Sequence, residues 1–124
     1  DFLSLGLDLE CLKRRDSLNK IKRRVFTEGD HLLSKDLPKG FEDTELVGLV
    51  FSAKESLFKC LYPLSKTHFY FEDAEMVNID FEKKGFTLRL KRDLGKWFKE
   101  GDLFEGYYCD SIKDHILTLV PLKA

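Results

Sequence analysis

The segment from Asp43 to Tyr62 constrains the fold most: Leu46, Val50, Ala53, Leu57 and Leu61 recur at three- and four-residue steps, and Pro63 follows. That spacing gathers apolar side chains into one stripe along a helix, with Asp43 placed to cap its start and Pro63 to stop it. A long apolar stripe needs cover, and several segments with strand-like alternation are available to supply it. In residues 2–10, Leu3, Leu5, Leu7 and Leu9 share one face, with Ser4, Gly6, Asp8 and Glu10 on the other. The leucine face is expected to meet the core, leaving the two acids to project from the opposite side.

Further along, Val77, Ile79 and Phe81 alternate before the turn Lys83-Lys84-Gly85, and Phe86, Leu88 and Leu90 alternate after it, with Thr87, Arg89 and Lys91 outward. This reads as a hairpin. Residues 101–109 and 112–121 predict a second strand pair. Residues 12–26 predict a helix rich in Lys and Arg, with Leu12, Leu18, Ile21 and Val25 on its inner face; Thr27 caps a short helix after it, and residues 34–43, with Pro38 and Gly40, predict a loop. The expected class is α+β: an antiparallel sheet packed against one long central helix, within a single domain spanning residues 1–124.

Bulk properties bound the function. At 124 residues, with 43% hydrophobic and 35% charged side chains, the chain has material for one real core and does not read as disordered. Twenty-one basic residues against 22 acidic ones give no net-charge argument for nucleic acid. Cys11, Cys60 and Cys109 are widely spaced with no Cys-x-x-Cys pair, and His31, His68 and His115 are dispersed, which argues for reduced thiols in the cytoplasm and against zinc. No apolar run is long enough to span a membrane and no signal peptide is visible. The chain starts at Asp1, inside the first expected strand, so it is expected to be a processed product or a piece of something longer.

Chemistry concentrates in two places. Asp8 and Glu10, two positions apart on one strand face, form a like-charged pair more easily tolerated beside a cation than buried alone, and an oxygen-only donor set favours Mg²⁺ or Mn²⁺. On the long helix, Ser52, Glu55 and Lys59 share a face distinct from the buried stripe. Gly6-Leu7-Asp8-Leu9-Glu10 and Phe51-Ser52-Ala53-Lys54-Glu55-Ser56-Leu57-Phe58-Lys59 together resemble the two signature motifs of the 4'-phosphopantetheinyl transferases of the enterobactin-synthase-component type. The likeness continues through Tyr62-Pro63-Leu64, residues 86–93, Gly106-Tyr107 and Leu117-Thr118-Leu119.

The resemblance implies transfer of 4'-phosphopantetheine from coenzyme A to a serine of an acyl or peptidyl carrier protein, with release of 3',5'-ADP. It implies Asp8, Glu10 and Glu55 as ligands of one Mg²⁺, Lys54 and Lys59 as cations holding the phosphates, and Glu55 and Lys59 as catalytic residues, Glu55 being the base either directly or through a metal-bound water. A reaction that spreads negative charge over two phosphates depends on positioning and electrostatic stabilisation. The basic run Lys13, Arg14, Arg15, Lys20, Lys22, Arg23 and Arg24 is either a surface that steers an acidic carrier or an ordinary solvated helix face. Phe51, Phe58 and Trp97 read as core side chains.

Members of that type are pseudo-dimers of two similar halves with coenzyme A between them, and this chain matches the C-terminal half. The family's Ser-His element belongs to the other half, and no Ser-His dipeptide occurs here. A missing N-terminal half is therefore expected to complete the site, in a cytoplasmic enzyme of siderophore, polyketide or nonribosomal-peptide biosynthesis. Two readings of other classes compete: an unrelated Mg²⁺-dependent phosphohydrolase using the same carboxylates, and a non-catalytic carrier-binding fragment.

Overall fold

The structure, a computed structural model, describes residues 1–13 and 15–124, apart from the side chains of Arg15 and Asp16. Arg14 and the side chain of Arg15, both in the expected basic run, lie outside the described residues. Five strands, β1 (Phe2–Cys11), β2 (Ala74–Asp80), β3 (Gly85–Leu90), β4 (Leu103–Cys109) and β5 (His115–Lys123), form an antiparallel sheet in the order β1-β5-β4-β3-β2. Three α-helices, α1 (Arg15–Val25), α2 (Glu28–Leu32) and α3 (Asp43–Ser65), accompany it, with α3 packed on β1 and β5 on one side and α1 on another. The expected α+β class is what forms.

Helix α3 buries all five residues of its expected stripe, and also Leu49 and Val47, because α1 covers a second side with Leu18 and Val25. Two terminal details differ from expectation. Glu42 is the N-cap, with Glu45 reaching back to its N–H in a capping box. At the other end the helix continues through Pro63 to Ser65. Proline removes the hydrogen bond to the carbonyl four residues back, that of the exposed Lys59, where water can substitute. Lys66 then closes the helix in the left-handed conformation (φ 53°), donating to the Tyr62 carbonyl at 2.8 Å.

Strand β1 reverses the expected facing. Leu3, Leu5, Leu7 and Leu9 are 50–58% exposed, whereas Gly6 and Asp8 are buried against α3. Gly6 explains the choice: a Cβ there would sit 1.7 Å from the Ser56 carbonyl oxygen, so the strand seats on the helix only through a residue without a side chain. Ser4 follows the same face and donates to the Cys60 carbonyl at 2.6 Å. Across the ladder, Gly6, Asp8 and Glu10 oppose Val120, Thr118 and Ile116 on the helix side, and Leu7 and Leu9 oppose Leu119 and Leu117 on the outer side.

The hairpin forms with Phe86, Leu88 and Leu90 inward as expected. Its first strand departs from simple alternation, since the register shifts between Met76 and Asn78. Ala74, Glu75 and Met76 are consecutively buried while Val77 is exposed. Trp97, expected in the core, is 75% exposed; the neighbouring Phe98 takes the buried place, its carbonyl bonded to the Leu94 N–H.

Candidate functional site

Strand β1 and helix α3 bring Asp8, Glu10, Glu55 and Lys59 together. A set of hydroxyls holds this seam: Ser52 Oγ donates to the Asp8 carbonyl at 3.2 Å, and Thr118 Oγ1 on β5 lies 2.8 Å from Ser52 Oγ and 2.6 Å from Ser56 Oγ. All three hydroxyl residues are buried, so their mutual bonding removes the cost of isolating polar groups from water. Ser52, expected beside Glu55 on an open face, belongs to this seam instead. Its part is to fix the rotation of α3 against the sheet.

Lys59 Nζ donates to Asp8 Oδ1 and to the Leu7 carbonyl, both at 3.0 Å. The second oxygen of Asp8, Oδ2, is buried and has no hydrogen-bond partner. Burial pushes the Glu10 carboxyl up to about 8, assisted by the neighbouring Asp8 carboxylate and by the charge of Glu55, with Lys59 opposing. Burial also raises Glu55, followed by the charge of Asp8, again against Lys59. Three carboxylates thus face one another with one cation among them.

That imbalance fits a hard divalent cation: the donors are all oxygen, and a buried Asp8 oxygen lacks a partner. Among the described residues, no three His, Cys, Asp or Glu side chains are gathered closely enough to form a coordination shell as they stand.

Lys54 goes elsewhere. Although adjacent to Glu55, its side chain turns into the protein interior and is only 2% exposed. Its ammonium donates to Asp30 Oδ2 at 2.6 Å, the Val25 carbonyl at 2.7 Å and the Phe71 carbonyl at 2.9 Å. An ammonium has three N–H groups, and all are engaged. Burial lowers its proton affinity below the usual lysine value while Asp30 works in the other direction. The structure does not bring Lys54 to the carboxylates, so the expected phosphate contact is not part of this geometry.

A cavity of about 180 Å³ opens beside Glu55, lined also by Phe58 and by His68, Phe69, Tyr70 and Phe71, with Lys54 at its edge. Phe58 stacks on Tyr62 with centroids 5.3 Å apart and meets His68 edge-on at 5.1 Å. Sequence reasoning passed over the segment 68–71; its four consecutive aromatic rings after the long helix were the available signal. Of the basic run, Lys13, Lys20, Arg23 and Arg24 are exposed, while Lys22 turns aside to pair with Asp43 at 3.0 Å.

No curated protein matches the chain in sequence. Solved structures share its fold, three of them over nearly the whole of this chain. Holo-[acyl-carrier-protein] synthase of Thermotoga maritima superposes with a TM-score of 0.72 at 20% identity, over 99% of this chain and 64% of that one. A holo-(acyl-carrier-protein) synthase from Bacillus anthracis str. Ames, in complex with CoA (3',5'-ADP), gives 0.61 at 21% identity over 99% and 97%. Holo-ACP-synthase from Plasmodium yoelii gives 0.69 at 16% over 100% and 97%. This chain therefore spans just under two thirds of the Thermotoga chain and nearly all of the other two. The sequence profile of the 4'-phosphopantetheinyl transferases matches residues 4–120, taking in both the β1 carboxylates and the α3 segment that faces them, and the chain belongs to the 4'-phosphopantetheinyl transferase superfamily.

Proposed function

We propose that this chain transfers 4'-phosphopantetheine from coenzyme A to a serine of an acyl or peptidyl carrier protein, releasing 3',5'-ADP. The observation that carries the reading is the convergence of Asp8, Glu10 and Glu55 around Lys59, from a strand and a helix distant in sequence. The serine Oγ attacks the phosphorus that bears pantetheine, the bond from that phosphorus to the bridging oxygen of the nucleotide breaks, and the serine proton passes to Glu55. Lys59, half exposed at the rim, steadies the phosphate charge that develops. Asp8, Glu10 and Glu55 would hold Mg²⁺. Bound there, it supplies Lewis-acid stabilisation of the pyrophosphate oxygens.

The resemblance of the motifs favours the enterobactin-synthase-component type, with residues 1–124 as the C-terminal half. The exposed leucines of β1 support that reading: they form an apolar face of the kind that a second half would cover, with coenzyme A between the halves. Exposed Lys13, Lys20, Arg23 and Arg24 offer an acidic carrier a complementary surface. A cytoplasmic enzyme of siderophore, polyketide or nonribosomal-peptide synthesis is the corresponding setting; among the described residues, no helix is long and apolar enough to cross a membrane.

The test is incubation of the complete protein with coenzyme A, Mg²⁺ and an apo carrier protein, followed by intact-mass measurement of the carrier. The expected result is a mass gain of one phosphopantetheine and appearance of 3',5'-ADP, both lost in Glu55→Gln. Inorganic phosphate without carrier modification would select a phosphohydrolase instead. Carrier binding that survives Glu55→Gln without any modification of the carrier would select a non-catalytic role.

A further inference from the structure

A lysine inside an enzyme's motif, next to its proposed base, invites a role in binding phosphate, yet every donor of Lys54 is spent on the protein itself. The three acceptors come from three different places. Val25 is the last residue of α1, so its carbonyl is one that the helix leaves unpaired, and a cation there also meets the negative end of the helix dipole. Phe71 begins the short 3-10 turn leading into β2 and carries one wall of the cavity beside Glu55. Asp30 lies in α2, fully buried, and its other oxygen accepts the Met76 N–H of β2 at 2.8 Å while Oδ2 also accepts the Thr27 N–H at 2.8 Å.

A second set of bonds reinforces the same junction. Glu75, also buried, accepts from Thr27 Oγ1 at 2.7 Å and from the Gly29 N–H at 3.2 Å, and pairs with Arg89 and Lys91. Gly29 permits that approach, because a Cβ there would fall 2.3 Å from the Glu75 carboxyl carbon. The turn of α3 bearing Glu55 is consequently gripped on two flanks. On one, Ser52 and Ser56 bond with Thr118; on the other, Lys54 reaches α1, α2 and the segment before β2.

We propose that Lys54 is a positioning residue: with Asp30 it ties the α1–α2 junction and the cavity wall at Phe71 to the α3 turn that carries Glu55, and it does not contact the phosphates. Its consequence for turnover rests on the transferase reading above; its place in the structure does not. The side chain acts through charge as well as length. Methionine would fill much of the space but leave buried Asp30 without its cation, with two carbonyls lacking partners.

The first test uses the complete protein unaltered. Reductive methylation of lysines, read by mass spectrometry with and without coenzyme A, is expected to leave Lys54 unmodified in both samples, while Lys59 is modified when free and protected by coenzyme A. Labelling of Lys54 that coenzyme A suppresses would overturn the proposal. If coenzyme A leaves Lys59 labelling unchanged and no carrier is modified, the transferase reading fails, yet shielding of Lys54 is still read from the same spectra.

The second test compares variants. Lys54→Met should lower the melting temperature by roughly 10 °C. It should also reduce kcat about tenfold while KM for coenzyme A stays within about threefold, since the defect lies in placement of Glu55. Adding Asp30→Asn to Lys54→Met removes the stranded charge and should restore part of the lost melting temperature. A Lys54→Met protein with unchanged melting and a tenfold higher KM for coenzyme A would make Lys54 a phosphate ligand.

Discussion

Lys54 and Glu55 are consecutive residues of α3, yet the first joins a group of charges that is matched at every atom and the second joins one that is not. Around Lys54, one cation meets Asp30 and two carbonyls, and Asp30 itself accepts from Lys54, Thr27 and Met76. Around Glu55, three carboxylates share Lys59, two are raised in proton affinity, and an Asp8 oxygen is buried without a partner. Matched buried charge holds elements together; unmatched charge is open to stabilisation from outside the chain, which the cation and phosphate-bearing substrate proposed above would supply. The step of about 100° between neighbours on a helix is what allows consecutive side chains to join different groups of charges.

The sharpest way to break the comparison is Glu55→Gln. Turnover should fall by at least about a hundredfold, with the melting temperature unchanged or raised because a crowded charge has gone. A large loss of stability with activity retained would place Glu55 with the structural charges. Next in size is Gly6→Val, which forces β1 away from the Ser56 carbonyl and should cost about 3 kcal/mol in urea unfolding. An unchanged urea midpoint would mean that β1 does not seat on α3 in this way.

Adding saturating Mg²⁺ should raise the melting temperature by several degrees, and chelation should reverse the rise. The effect should vanish in the pair Asp8→Asn and Glu10→Gln, and its survival there would put the cation elsewhere. The smallest effect concerns the matched side. Burial alone would raise the Glu75 carboxyl, but Thr27, Lys91 and the Gly29 N–H outweigh it and hold it below its ordinary value of 4.5. A lowered carboxyl contributes stability that is complete above the ordinary value and is lost as pH falls through the folded-state value. Acid titration followed by circular dichroism should show a stability loss below that point that is weaker in Glu75→Gln; identical acid profiles would remove Glu75 from the network.

Much of this was legible beforehand. The five apolar residues of the α3 stripe are buried, Thr27 caps α2, and the hairpin forms, although its turn is residues 81–84, with Phe81 in the turn and Gly85 already in β3 opposite Asp80. The carboxylates of Gly6-Leu7-Asp8-Leu9-Glu10 do face Glu55 and Lys59. The outward-facing leucines were not legible, because alternation defines two faces without saying which is inside; the contact between Gly6 and Ser56, fifty residues apart, decides it. The surroundings of Lys54 were not legible for a related reason, since Asp30 lies 24 residues away in a helix of five residues.

By itself, the sequence determined the helix, the strands and the acidic and basic residues available for chemistry, because periodicity and side-chain type act locally. Only the tertiary structure decided which charges are satisfied by the protein and which are not. Burial and hydrogen bonding are properties of neighbours in space, and here those neighbours come from α1, α2, β2 and β5, all far along the chain from the α3 residues they surround.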